Sequence, residues 1–178
     1  MNEKVIINNQ KEQGYTAKAA MKLVVEHMKA KTAQAISVIT LEDNQDAECI
    51  LFVKMFLRFL HKNRGRVLLL AENPAMADKL EEHIAESNAR IRIVERATIE
   101  EHGVSDDMIL NRINGAEAEC IIASLPAEME ERFLEKNRTA LDAKIWFSIG
   151  THLKQKKKPT KLQLLWEGIL QHFTKKEI

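Results

Sequence analysis

Four short polar corners of the sequence carry residues that could bind a substrate or act on it. They are TLEDN from Thr40, AENP ending in Pro74, SLPAE from Ser124 and SIGTH ending in His152. Hydroxyl and amide side chains can hydrogen-bond a ligand, and a helix that starts after such a corner directs its first amides at an anion. The same residue types also serve as helix caps and strand ends. For Thr40, Asn73 and Ser124 both interpretations stay open.

Acidic residues oppose a phosphate-binding interpretation of these corners. Phosphate loops use glycines so that backbone amides can approach the oxygens, whereas AENP contains Glu72 and SLPAEMEE contains Glu128, Glu130 and Glu131. Acidic residues in a first helical turn also complement the helix dipole, which is the simpler explanation. The sequence contains no GxGxxG, Walker loop, nucleophile elbow or metal-ligand spacing. We therefore predict no metal site and no cofactor.

The elements that position these corners follow an alternating pattern. KVIIN, AISVITL, RVLLLAE, IRIVER, ECIIASL and AKIWFSIG predict strands. The segments between them predict helices, one of them opened by Asp43 or Asn44 and ended at Gly65. Apolar strands that alternate with helices indicate a parallel sheet covered on both faces. We predict an α/β fold, a Rossmann-like, open and mostly parallel sheet, with the four corners at the carboxyl ends of its strands.

Composition indicates one α/β domain, residues 1–150, followed by a basic segment and an amphipathic helix, residues 151–178. The chain has 178 residues, of which 45% are apolar and 30% charged. Cys49 and Cys120 lie in apolar runs, which favours core thiols in a reducing compartment. No signal region or run of about 18 apolar residues is present. We predict a cytoplasmic protein, and the lack of a basic face with aromatics argues against a nucleic-acid partner.

The last 28 residues combine lysines with an apolar stripe. The stripe is formed by Leu162, Leu165, Trp166, Ile169, Leu170 and Phe173. Such a helix can dock on an anionic leaflet at the inner membrane face, or pack on the protein's own sheet or on a neighbouring subunit of a homo-oligomer. The predicted contact residues for a membrane or a partner are Lys156, Lys157, Lys158, Lys161 and Trp166.

Read as one continuous pattern, the chain resembles the WecG/TagA/CpsF glycosyltransferase family. The segments GRVLLLAENPAMADKLEEHI, MILNRINGAEAECIIASLPAEMEERFLEKNRTALDAKIWFSIG and KKPTKLQLLWEGIL follow one another as the family's segments do, and AISVITLED resembles its strand ending in threonine. The resemblance covers residues 64–173 and, more loosely, 4–41. The matched positions are Asn73, Pro74, Ile113, Asn114, Pro126, Glu131 to Phe133, Asn137, Gly150, Pro159 and Trp166.

The resemblance implies an activity and a set of site residues. The family moves N-acetylmannosamine, or a related sugar, from a UDP-sugar to a lipid-pyrophosphate-linked sugar in cell-envelope polysaccharide synthesis. A UDP-sugar and a lipid-linked glycan would then be the partners. Transferred by position, the resemblance implies substrate binding by Asn73, Pro126, Glu131 and Gly150. Ser124, at the end of its strand, is a further predicted substrate-binding residue, and Thr40, at the end of the threonine strand, is a predicted catalytic residue.

The sequence departs from the family where the chemistry would occur. Ala71 and Glu72 replace paired glycines, and Ala127 and Glu128 replace a lysine and a glutamine. The family's general base is an acidic residue beside a glycine. The 25 residues between Thr40 and Arg66 contain no Asp-Gly pair. The segment with the base therefore looks deleted.

Inverting transfer needs a base for the acceptor hydroxyl. Asp43, or its neighbour Glu42, is the predicted replacement.

Three functional hypotheses follow from the sequence. The first is a divergent glycosyltransferase with a replaced base. The second is a non-catalytic descendant that binds a partner protein, a glycan precursor or a membrane. The third is a receiver-like signalling module, suggested by VLLLAENPAMADKLEEHI but opposed by the lack of an acidic cluster around a phosphorylatable aspartate.

Overall fold

The computed structural model describes residues 4–7, 15–30, 36–41, 46–86, 90–99, 105–151 and 153. Within these ranges the strands are β1 (Lys4–Ile7), β2 (Ser37–Leu41), β3 (Arg66–Ala71), β4 (Arg92–Thr98), β5 (Cys120–Ser124) and β6 (Ile145–Ser148). The helices between them are α1 (Ala17–Lys29), α2 (Ala47–Lys62), α3 (Pro74–Glu86), α4 (Asp106–Gly115) and α5 (Ala127–Asn137). The predicted C-terminal helix lies outside the described residues.

The strands form one parallel sheet in the order β1-β2-β6-β5-β3-β4. Every strand pair is parallel, so the predicted Rossmann-like α/β fold is confirmed, and the sheet in the described residues is all-parallel. The last strand, β6, lies in the middle between β2 and β5. This order places the ends of strands that are distant in sequence side by side at the carboxyl edge.

The handedness of the connections between strands decides which face of the sheet each helix covers. Parallel crossovers are right-handed, so the connections that advance from β1 to β4 place α1, α2 and α3 on one face. The chain then turns back through β5 and β6, which places α4 and α5 on the other face. The side chains of β3 alternate between the two faces of the sheet. Val67 and Leu69 pack with α1 to α3, and Leu68 and Leu70 pack with α4 and α5.

Helix α2 starts later than the sequence predicted. Its N-cap is Asp46, whose carboxylate accepts a hydrogen bond from the Glu48 amide at 2.7 Å, so the prediction of Asp43 or Asn44 as the opening residue is wrong. Several side chains that could cap the helix precede it. Asp46 is the one nearest in sequence to Cys49, the first buried residue of the helix. Asp43 itself lies outside the described residues. None of the helices in the described ranges is long and apolar enough to cross a bilayer.

Candidate functional site

An open cleft of about 1030 Å³ lies beside α5, at the carboxyl ends of β2 and β6. It forms on the face that carries only α4 and α5 among the described helices, because α5 packs over β5 and β6 and leaves the end of β2 accessible. Its lining consists of Val38, Thr40, Leu41, Leu125, Pro126, Ala127, Glu130, Glu131, Leu134, Glu135, Arg138, Thr139, Ser148, Gly150 and Thr151. Ligands of open parallel sheets usually bind at this edge. The cleft is therefore the candidate site.

The floor of the cleft is a row of three polar residues from three elements. Thr40 of β2 stands in register with Ser148 of β6, on strands that lie about 4.8 Å apart. The Ser148 hydroxyl donates a hydrogen bond to Oε2 of Glu130 on α5 at 2.6 Å. We call these residues the Thr40–Ser148–Glu130 row. It joins the predicted catalytic threonine to a carboxylate that sequence analysis did not select.

Glu130 is a buried carboxylate held by two donors. Only 7% of the residue is exposed. Its Oε1 accepts a hydrogen bond from the Trp146 indole at 2.9 Å, and its Oε2 accepts the bond from Ser148. The Trp146 ring in turn stacks on Phe133 of α5, with ring centroids 5.9 Å apart. A buried carboxylate needs such partners, and here they fix α5 against β6.

Thr40 presents a hydroxyl to this floor. Its Oγ1 is buried and has no hydrogen-bond partner among the described residues. A buried hydroxyl without a partner costs about 1–3 kcal/mol, so a ligand oxygen that accepts or donates at this atom would gain that free energy back. Thr40, the predicted catalytic residue, lies in the cleft lining.

The wall formed by α5 is acidic at its exposed positions. Glu131 and Glu135 lie on this wall, and Arg138 is the single cation among the described lining residues. One Nη of Arg138 donates to the Ile36 carbonyl at 3.1 Å, while its buried Nε has no partner in the described residues. A negatively charged ligand would meet attraction at Arg138 and repulsion from the two carboxylates.

Two further predicted residues line the cleft, one after β5 and one after β6. Pro126 occupies the N-cap position of α5 without a side-chain cap, and Gly150, which follows β6, has a φ of 72°. That left-handed conformation suits glycine. The Ser124 hydroxyl donates to the Gly150 carbonyl at 2.8 Å, which ties the ends of β5 and β6 together. Ser124 is fully buried and is not part of the cleft lining.

Asn73 lies one strand further along the carboxyl edge. Its Oδ1 accepts a hydrogen bond from the Met76 amide at 3.0 Å and so caps α3. The strand that precedes it, β3, ends at Ala71, in register with Ser124 of β5. The structure thus brings Thr40, Pro126, Glu131 and Gly150 together in one cleft, while Asn73 and Ser124 lie at the same sheet edge outside its lining.

The remaining predicted site residues lie outside the described residues. They are Asp43, Lys156, Lys157, Lys158, Lys161 and Trp166.

The sequence contained one signal for the missed carboxylate. Glu130, Phe133 and Asn137 recur at steps of three and four, and all three are buried on the inner face of α5. An acidic residue on an otherwise buried stripe needs a hydrogen-bond partner in the core. Glu128 and Glu131 are on the exposed face of the helix and need no such partner. An explanation of the whole acidic cluster by the helix dipole does not distinguish the buried Glu130 from the exposed Glu128 and Glu131.

The family model described as "Glycosyl transferase WecG/TagA/CpsF family" matches residues 33–155, a range that contains every described residue of the cleft lining. No curated protein matches the chain.

Proposed function

Since the chain belongs to the WecG/TagA/CpsF family of glycosyl transferases, we propose that its cleft binds a UDP-sugar and that the chain transfers N-acetylmannosamine, or a related sugar, to a lipid-pyrophosphate-linked sugar in the cytoplasm at the inner membrane face. The observation that carries this proposal is the cleft at the carboxyl edge with the unpartnered Thr40 hydroxyl on its floor. A transferase site must hold its sugar by hydrogen bonds to hydroxyl groups, and Thr40 supplies a group that is not engaged by a described residue.

The Thr40–Ser148–Glu130 row supports a positioning role at this site. Glu130 accepts from Ser148 and Trp146, so its oxygens are already held by donors in the core. It orients the Ser148 hydroxyl beside Thr40. Arg138 is the described cation that could face the leaving diphosphate. Asn73 and Ser124 complete the donor site in this proposal only if a bound sugar nucleotide reaches past the β5 end.

The base of the proposed reaction is Asp43, with Glu42 as its neighbour. Both follow Thr40 within three residues, directly after the strand whose end forms the cleft. An inverting transfer requires one carboxylate to take the proton of the acceptor hydroxyl while the sugar–phosphate bond breaks. Replacing both residues by Asn and Gln should abolish transfer and leave donor binding intact.

The experiment that tests the proposal measures binding and transfer separately. Calorimetry with UDP, UDP-N-acetylglucosamine and UDP-N-acetylmannosamine should show saturable binding that Thr40→Val weakens about three- to tenfold, the worth of one hydrogen bond. Thr98→Val is the matched control, because Thr98 ends β4 and lies outside the cleft lining. Equal weakening by both variants would contradict binding in the cleft, as would the absence of heat at millimolar ligand.

A second candidate function is a non-catalytic descendant that binds a partner protein or a glycan precursor. The observation in its favour is the acidic wall, where Glu131 and Glu135 face the cleft against the single described cation Arg138. Such a wall suits a neutral or cationic ligand better than a diphosphate. Saturable binding of the lipid-free acceptor glycan, without binding of the UDP-sugars and without transfer, would favour this candidate.

A further inference from the structure

The helices differ in charge, and the difference separates α1 and α2 both from α3, which lies on the same face of the sheet, and from α4 and α5 on the other face. Together α1 and α2 carry six lysines and arginines against two glutamates. By contrast, α3, α4 and α5 together carry four basic and ten acidic residues. The whole chain has a net charge of only +1. The basic character of α1 and α2 therefore reflects a separation of charge within the fold.

The cations of α1 and α2 are on the outside. All six are exposed, namely Lys18, Lys22, Lys29, Lys54, Arg58 and Lys62. Of the two acidic residues, Glu48 is partly buried and its Oε2 accepts a hydrogen bond from the Ala17 amide at 2.7 Å. Only Glu26 remains as an exposed acid on the two helices. The outer surface formed by α1 and α2 thus carries six exposed cations and one exposed acid, whereas α3 on the same face of the sheet is acidic.

Two large apolar side chains interrupt this positive surface. Ile50 and Leu51, in the first turns of α2, are each 40% exposed. Lys54 and Arg58 follow Ile50 at steps of four residues, so these side chains share one side of the helix. We call the exposed cations of α1 and α2 together with Ile50 and Leu51 the α1–α2 face. Basic and apolar side chains mixed on one helical surface are the composition of interfacial membrane-binding segments.

The two helices form one layer and not two separate surfaces. They pack into the same core cluster, where Ala20 and Val24 of α1 lie with Phe52 and Phe56 of α2. The hydrogen bond between the Ala17 amide and Glu48 joins their N-terminal ends. Because α1 and α2 follow β1 and β2, both ends lie at the carboxyl edge of the sheet. The apolar pair is therefore at the edge where the cleft opens.

We propose that the α1–α2 face docks on an anionic lipid membrane. Charge complementarity selects this occupant, since each Lys or Arg near an anionic leaflet adds attraction and the apolar pair can enter the headgroup region. A second copy of the chain in a two-fold contact would bring cations against cations. Binding to nucleic acid would leave Ile50 and Leu51 without a role, and the α1–α2 face has no aromatic side chain to stack on bases.

Docking through this face is separate from the predicted contact of the C-terminal helix. It uses residues of α1 and α2, which cover the sheet face opposite the cleft and whose N-terminal ends lie at the same carboxyl edge. Access of the cleft to a lipid-linked acceptor rests on the proposed function, whereas docking itself does not. Vesicle binding can be measured without donor or acceptor, so failure of one proposal is distinguishable from failure of the other.

The test is sedimentation of the full chain with phosphatidylcholine vesicles, with and without phosphatidylglycerol. We expect binding that requires the anionic lipid and weakens as salt rises. The variant Lys54→Gln with Arg58→Gln should bind about 25-fold more weakly, because each near-surface cation contributes about a factor of five. The matched control is Lys79→Gln with Arg132→Gln, which removes the same charge from exposed positions of α3 and α5 and should bind like the wild type.

A second variant tests the apolar part. The variant Ile50→Ser with Leu51→Ser should lower vesicle binding. Because both side chains are already partly exposed, we expect the fold to persist, and the unfolding temperature of the variant checks this.

Several outcomes would overturn the proposal. They are equal loss in the test and control pairs, equal binding to both vesicle types, or no vesicle binding at all. Wild-type binding by the Lys54 and Arg58 variant, with complete loss when Lys156, Lys157 and Lys158 become Gln, would assign membrane contact to the C-terminal segment alone. Concentration-dependent self-association that the Lys54 and Arg58 variant abolishes, without lipid binding, would identify the face as a protein interface.

Discussion

Replacing Thr40 by valine should stabilise the ligand-free chain while weakening its binding of ligand. Valine has nearly the shape of threonine and exchanges the hydroxyl for a methyl group. The Thr40 Oγ1 atom is buried without a partner among the described residues, so the substitution removes a desolvated polar atom. Such a group costs about 1–3 kcal/mol, and we expect the free energy of unfolding to rise by about 1–2 kcal/mol. For a chain of this size the unfolding temperature should rise by about 2–8 °C.

The assay is urea unfolding of the wild type and two variants, followed by calorimetry with the UDP-sugars. Ser148→Ala is the control, because it removes a buried hydroxyl that does have a partner, Glu130, and should lower stability by about 1–3 kcal/mol. A loss of stability in Thr40→Val would show that the native fold uses the hydroxyl. That result would refute the argument that Thr40 is held ready for a ligand.

Three further predictions concern the same chain. Glu130→Leu should lower the free energy of unfolding by about 1–3 kcal/mol in urea titrations, since the buried Trp146 indole loses its acceptor, and adding Trp146→Phe should recover part of that loss. If the double variant lost as much stability as the two single variants together, the result would contradict the pairing. Ser124→Ala should lower stability by about 1 kcal/mol through loss of the bond to the Gly150 carbonyl, and should change UDP-sugar affinity less than Thr40→Val does. Burial, with a smaller effect from the charge of Lys144, lowers the pKa of His27. The unfolded chain therefore binds this proton more readily, so stability should fall as pH drops from above 6.5 towards the lower pKa of the folded state, and His27→Gln should flatten that part of the pH profile.

The alternation of strands and helices could be predicted because local sequence determines it. Each strand is a short apolar run, and each helix shows an apolar stripe that only a covered sheet can bury. Parallel strands in turn place the polar corners at one edge, where Thr40, Pro126, Glu131 and Gly150 line the cleft while Asn73 and Ser124 lie outside its lining. The N-cap of α2 was less predictable, because several side chains that could cap the helix lie within a few residues of Asp46.

Strand order, in contrast, was decided only in the tertiary structure. Thr40 and Ser148 meet because β6 inserts between β2 and β5, and no local pattern encodes which strand becomes the neighbour of another. The burial of Glu130 likewise depends on Trp146 reaching it from that inserted strand. The positive α1–α2 face arises because two helices that β2 separates in the chain pack side by side. Periodicity along the chain acts within a few residues, whereas a site and a charged face depend on packing between elements.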